Sequence, residues 1–134
     1  MKLVTRDTDY AIRALLLISR QVRVVSVPEL VVKLKIPRPF LRKILQILNK
    51  RNLLKSCRGP GGGFRLNMPL DKIYLLDLIK IFQGPLKLNE CLFKRRICPN
   101  INSCVLRKKI LNIEKHMFKE LKTITLASLL GGGY

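Results

Sequence analysis

Three cysteines, Cys91, Cys98 and Cys104, stand with six and then five residues between them, a spacing loose enough for one loop to wrap a multinuclear centre. The paired C-x-x-C steps usual for structural zinc are missing. Taken alone, the spacing leaves a cluster, a zinc site, a reversible disulfide switch and plain thiols all open. Lys94, Arg95, Arg96 and Arg107 crowd the same stretch, where their charge would offset that of a thiolate-ligated centre. The fourth cysteine, Cys57, precedes Arg58 and reads as a small buried hydrophobe whose thiol can still meet oxidants. His116 is the sole histidine, and with 8 carboxylates in the chain no nucleophile, base and orienting acid can be assembled, so a non-enzymatic role is expected.

The second chemistry is electrostatic. Lys and Arg number 27 against 8 Asp and Glu, a formal charge of +19 that is most simply explained by a polyanionic partner. Between Glu29 and Asp71 there is no acidic residue, while ten cations occur: Lys33, Lys35, Arg38, Arg42, Lys43, Lys50, Arg51, Lys55, Arg58 and Arg65. Such a footprint neutralises phosphates and releases counterions, which makes binding salt-dependent, whereas a merely solvated basic face would not. No membrane or targeting segment is visible, since the apolar run 14–18 is short and follows charged residues, so a cytoplasmic protein is expected. In that reducing compartment the cysteines point to metal or redox chemistry rather than to a disulfide framework.

The elements that must position these residues can be read from periodicity. A first helix is expected over Thr8 to Gln21, capped by Thr8 or Asp9, with Tyr10, Ala14, Leu17 and Ile18 on one face. Ser26 caps a second helix with Pro28 and Glu29 in its first turn and Leu30, Val31 and Leu34 toward the core. Ile36-Pro37-Arg38-Pro39 forces a turn, after which Leu41, Ile44, Leu45 and Leu48 fall at i, i+3, i+4 and i+7 of a third helix. Two short helices joined by a tight turn, the second basic outside, make a helix-turn-helix. Leu53 to Cys57 and Phe64 to Leu66 read as strands around a glycine loop, and Pro69 to Phe82 reads as a fourth helix. Residues 86–104 show no periodicity and are expected to take their shape from a ligand. A long helix returns over Val105 to Thr123, with a stripe of Leu106, Ile110, Ile113, Met117, Leu121 and Ile124 that self-association would bury. The Gly131-Gly132-Gly133 tail reads as disordered or appended.

The expected fold class is therefore mainly α with a small β-hairpin wing, a winged helix-turn-helix plus a long C-terminal dimerisation helix. Residues 1–84 form the DNA-binding part, 85–104 the cysteine-bearing loop, and 105–134 the dimerisation helix and tail. Arg38, Arg42 and Gln46 succeed one another at i, i+4 along the outer edge of the third helix, where Arg suits guanine and Gln adenine. Phe40, Lys43 and Lys50 complete the candidate contacts on that helix. Arg58, at the mouth of a loop whose Gly59, Gly61 and Gly62 permit close backbone approach, would reach the adjacent minor groove. The loop lacks the Lys-Ser or Lys-Thr ending of a P-loop and leads into a strand, which argues against nucleotide binding.

Thr8-Asp9-Tyr10-Ala11, Ile36 to Leu48, the wing heptapeptide Arg58-Gly59-Pro60-Gly61-Gly62-Gly63-Phe64, the three spaced cysteines and the closing Ile124 to Leu130 together resemble the IscR and NsrR family of Rrf-type winged-helix regulators. The resemblance spans nearly the whole chain, and the wing heptapeptide is its most characteristic part. It implies a homodimer that binds double-stranded operator DNA and, as in many members, an iron-sulfur cluster (2Fe-2S or 4Fe-4S) whose state changes that binding. By the same resemblance Cys91, Cys98 and Cys104 are the cluster ligands. Some members place a histidine three residues past the last cysteine, but Arg107 stands there and cannot coordinate. Others take an acidic residue near the N-terminus of the partner subunit, and Asp9 occupies the matching place, where it could equally serve as a helix cap. Glu90, water or a small thiol are other candidate ligands. The competing expectation is a cluster-free regulator whose thiols sense oxidants directly.

Overall fold

The computed structural model describes residues 2–86 and 103–131. Cys91, Cys98, Glu90, Lys94, Arg95 and Arg96 lie outside the described residues, as does the tail at 132–134.

Helix α1 spans Arg6–Ser19 and buries Ala11, Ala14, Leu15 and Ile18. It starts two residues before the expected Thr8, because Thr5 is the extended N-cap and its carbonyl accepts from Asp9 N at 2.9 Å. Thr8 is therefore not a cap but a fully buried first-turn residue, and its hydroxyl donates to Gln83 Oε1 at 2.8 Å. Asp9 is likewise inside the helix, its carboxylate 2.8 Å from Arg13 Nε one turn on.

Helix α2, Val27–Leu34, begins as its sequence demands: Ser26 Oγ accepts from Glu29 N at 3.3 Å, and Lys35 ends the helix in the left-handed region at φ 55°. Leu30 is buried, with Val31 and Leu34 packed partly exposed against the core. Glu29 takes a bidentate pair from Arg23, at 2.5 and 2.9 Å, and Lys33 Nζ at 3.0 Å. The Arg23 hydrogen bond first, then that from Lys33, hold the Glu29 carboxyl down at about 2, well below the ordinary carboxylate value. A depressed folded-state value means that this carboxylate stabilises the fold at neutral pH and loses that contribution as pH falls from about 4.5 toward 2. A carbon-detected NMR titration should find Glu29 still ionised at pH 3. Since Glu29 is only half-buried and both of its cationic partners are exposed, Glu29→Gln should move the melting temperature little.

Helix α3, Arg38–Lys50, follows Pro37 and buries Leu41, Ile44, Leu45 and Leu48. Each of these side chains contributes about 1.5–3 kcal/mol by leaving water, enough together to hold a short, strongly basic helix in place. Strands β1, Leu54–Cys57, and β2, Gly63–Leu66, pair antiparallel with Leu54 opposite Leu66 and Cys57 opposite Gly63. The hairpin is anchored to the head by Val25, which exchanges two backbone hydrogen bonds of 2.9 Å with Phe64.

The segment expected as one helix over Pro69 to Phe82 is broken. A 3-10 turn at Leu70–Lys72 leads into extended Ile73 and Tyr74, and α4 occupies Leu75–Gln83 only. The cause is a long-range pairing: Leu75 N donates to Ile124 O at 2.9 Å and Leu126 N to Ile73 O at 2.8 Å, so the C-terminal segment claims this backbone as a strand partner. Helix α5, Val105–Leu121, joins the core at its C-terminal end, where Leu121 is buried and Met117 and Phe118 pack on the head. Its other end extends away, leaving Val105, Leu106 and Ile113 at 66%, 65% and 57% exposure. The expected apolar stripe is thus covered by the head over its last turns and open over its first ones. Among the described residues no helix is long and apolar enough to cross a membrane.

Candidate nucleic-acid interface

Burial of the Leu/Ile stripe turns the opposite face of α3 outward. Arg38, Arg42, Lys43, Gln46 and Lys50 are all exposed on it. This face continues into the hairpin across an open groove of about 510 Å³ lined by Lys43, Gln46, Ile47, Asn49, Lys50, Ser56 and Phe64. Asn49, which sequence reasoning left out, ties the two together: its Oδ1 accepts from Ser56 N at 3.2 Å. A polar residue between exposed cations carries no periodic signal, so only the tertiary contact reveals that role.

Arg58 is exposed immediately after β1, at the base of the loop. Gly59 and Gly61 have positive φ, 97° and 74°, and open space around them, so their backbone can approach another molecule. Gly62 does something else. A Cβ there would lie 2.6 Å from Cys57 O and 2.8 Å from Gly59 O, so its missing side chain lets the loop close on itself, with Gly62 N donating to Gly59 O at 2.9 Å. Gly63, the last glycine of the wing heptapeptide, has a role that no local pattern shows: its Cβ would sit 2.1 Å from Val25 O, inside the bridge that seats the hairpin.

Phe40, in the first turn of α3, is 42% exposed, and the guanidinium carbon of Arg6 lies 4.9 Å from its ring centroid. Cys104 is the N-cap of α5, a half-buried free thiol whose side chain makes no capping hydrogen bond. Arg107 and Lys108 follow in the next turn, so the donor chemistry and local charge at Cys104 fit one ligand of an anionic cluster. Among the described residues no three His, Cys, Asp or Glu side chains converge as a metal site, and two of the three candidate thiols lie outside those residues. Cys57 is a half-buried free thiol at the end of β1, and His116 is exposed on α5.

The comparisons agree with this architecture. A family model described as Rrf2, iron-dependent transcriptional regulator, matches residues 4–132. An Aquifex aeolicus (strain VF5) protein named as an HTH-type transcriptional regulator is 34% identical over 110 residues, 81% of this chain and 76% of that protein. Protein aau3 of Rhizobium meliloti (strain 1021) is 31% identical over 129 residues, covering 95% and 84%. In fold the chain is similar to CymR (YrzC), the global cysteine regulator of B. subtilis, with TM-score 0.78, 21% identity and 96% of each chain covered. It is similar also to T. potens IscR, with TM-score 0.74, 24% identity and coverage of 100% and 89%. The matching family and the structural neighbours are transcriptional regulators, not enzymes. With a helix-turn-helix, a hairpin wing and a family match over almost its full length, the chain belongs to the Rrf2 family of DNA-binding transcriptional regulators.

Proposed function

We propose that this regulator grips operator DNA as a homodimer through the outer face of α3 and the Arg58 loop, under control of an iron-sulfur cluster held by Cys91, Cys98 and Cys104. The observation that carries the DNA half is the continuity of exposed Arg38, Arg42, Lys43, Gln46 and Lys50 with the hairpin across one groove. Arg38, Arg42 and Gln46 face base edges, Phe40, Lys43 and Lys50 contribute along the same helix, and Arg58 with Gly59 and Gly61 takes the neighbouring minor groove, in a loop that Gly62 keeps closed for that contact. The open first half of the α5 stripe is the dimer surface, and a two-fold dimer reads a palindrome with half-sites about one helical turn apart. On this reading residues 1–84, 85–104 and 105–134 divide into DNA-binding, ligand-binding and dimerisation parts.

The thiolates of Cys91, Cys98 and Cys104 would hold the cluster, whose iron would tie the segment after α4 to the start of α5. The chain's own residues do the rest. Cys104 opens α5, whose far end packs on α4. Gln83, the last residue of α4, accepts from Thr5 N and Thr8 Oγ1 and so holds the start of α1, which packs on α3. A two-state change at Cys104 thus has a packed route to the recognition helix, provided DNA binds the two states with different affinity. Asp9 as a fourth ligand would have to give up Arg13.

Selection of duplexes from a random pool, followed by footprinting with anaerobically reconstituted and cluster-free protein, tests the reading. A palindromic site whose affinity differs between the two forms supports it, and equal affinity sinks the control by cluster. Anaerobically purified wild type should be brown with acid-labile sulfide, and Cys104→Ser should lose both. One observation favours a second reading, a direct thiol switch: Cys57, next to the exposed Arg58, is a half-buried free thiol. Colourless protein with an oxidation-dependent mass change would support it.

A further inference from the structure

The outer face of α3 is unevenly charged. At about 100° per residue, Arg38 and Arg42 lie on one flank of that face, and Gln46, Lys50 and Lys43 lie along its middle. The opposite flank is formed by positions 40 and 47, which are Phe and Ile, so α3 itself supplies no cation there, and exposed Arg51 reaches that flank only at the C-cap, about three turns from Phe40. A recognition helix in a major groove is bordered by phosphates on both sides, and on this flank its first turns have nothing of their own to meet them.

Another helix fills the gap. Arg6, exposed in the first turn of α1, stacks its guanidinium over the exposed Phe40 ring at 4.9 Å. Its backbone is held on both sides: Thr5 N donates to Gln83 Oε1 at 3.0 Å and Thr8 Oγ1 to the same atom at 2.8 Å, while Gln83 Nε2 donates to Leu3 O at 3.2 Å. Arg6 is thus pinned at its root and steadied at its tip, which lowers the rotamer entropy lost on forming a further contact. A ring face accepts no conventional hydrogen bond, so a guanidinium held over it keeps N–H donors available to an anion.

We infer that Arg6, carried to the flank of the recognition helix by Phe40, is a DNA phosphate contact that borders the groove opposite Arg38 and Arg42. Phe40 is then a platform for a cation rather than a reader of bases. The hairpin meets the C-terminal half of α3 at Asn49 and Lys50, and Arg6 meets its first turn, so the two bracket the helix from its ends. This inference rests on the proposed DNA-binding reading.

The test measures affinity against salt concentration for the full-length dimer on two probes: the selected operator and a random-sequence duplex of the same length. Arg6→Ala should weaken binding to both by about threefold to tenfold and lower the log-log salt slope by about one per protomer. Arg6→Lys should keep the slope and lose part of the affinity. Phe40→Leu should weaken binding less than Arg6→Ala, and the double variant should be no weaker than Arg6→Ala alone. Unchanged melting temperatures exclude a folding cause, since both side chains are exposed. If Arg6→Ala keeps the wild-type slope while Arg42→Ala and Arg58→Ala lose affinity, the inference is overturned and the DNA-binding reading stands. If none of the three changes binding, the reading itself fails.

Discussion

Gly63→Ala is expected to lower the melting temperature by about 10 °C and to abolish measurable operator binding. The added Cβ would stand 2.1 Å from Val25 O, 2.6 Å from Val25 C and 2.8 Å from Ser26 Cα, all backbone atoms. A flexible side chain could swing aside, but here the hairpin must move off Val25 and break the paired hydrogen bonds between Val25 and Phe64. Overpacking of this kind costs about 3 kcal/mol, and a domain of this size loses a few degrees per kcal/mol. The functional loss follows from geometry, since Phe64 and Ser56 line the groove beside α3 and Arg58 rides on the same hairpin. Gly61→Ala is the control: it adds a Cβ into open space at φ 74°, which should strain the loop without unseating it. Calorimetry and gel-shift titration of the two variants check the prediction, and a Gly63→Ala protein as stable as wild type would refute it.

Arg42→Ala should weaken binding to the selected operator by about ten- to a hundredfold per half-site, the equivalent of about 1–3 kcal/mol for each bidentate base contact, with both half-sites of the dimer affected. Arg42 is one turn beyond Arg38 and one turn before Gln46, on a face kept outward by burial of Leu41 and Leu45. Because a base contact carries sequence information, specificity at one position per half-site should relax while the salt slope stays close to wild type. A phosphate contact would do the reverse, with a uniform loss on every duplex and a slope reduced by about one per protomer. Measuring affinity on the operator and on single-base variants of it, at several salt concentrations, separates the two roles for Arg42, and Lys43 serves as the comparison.

Local pattern was a sufficient guide wherever one residue type had one physical reason to be where it is. The stripe Leu41, Ile44, Leu45 and Leu48 predicted both helix α3 and its outward basic face, and all four residues are buried. Ser26 predicted its own helix start. The glycine loop between two short apolar runs predicted the hairpin, and the excess of cations predicted a nucleic-acid partner. The wing heptapeptide by itself points to the family that the match over residues 4–132 shows.

What went astray did so where a distant segment outbid local preference. Thr8 reads as a cap because its hydroxyl suits one, yet Gln83, from the end of α4, takes that hydroxyl and α1 begins earlier. Residues 69–82 have a helical rhythm, yet the backbone of 124–126 pairs with Ile73 and Leu75 and breaks it. No local pattern at Phe40 shows that Arg6, from the start of α1, lies over its ring. Composition and periodicity by themselves determined the fold class, the polarity of α3 and the class of partner, because burial and charge are properties of single elements. Where α1 and α4 begin, why Gly63 must be glycine and which cation sits beside Phe40 were decided by tertiary structure alone, since each depends on the meeting of segments far apart in the chain.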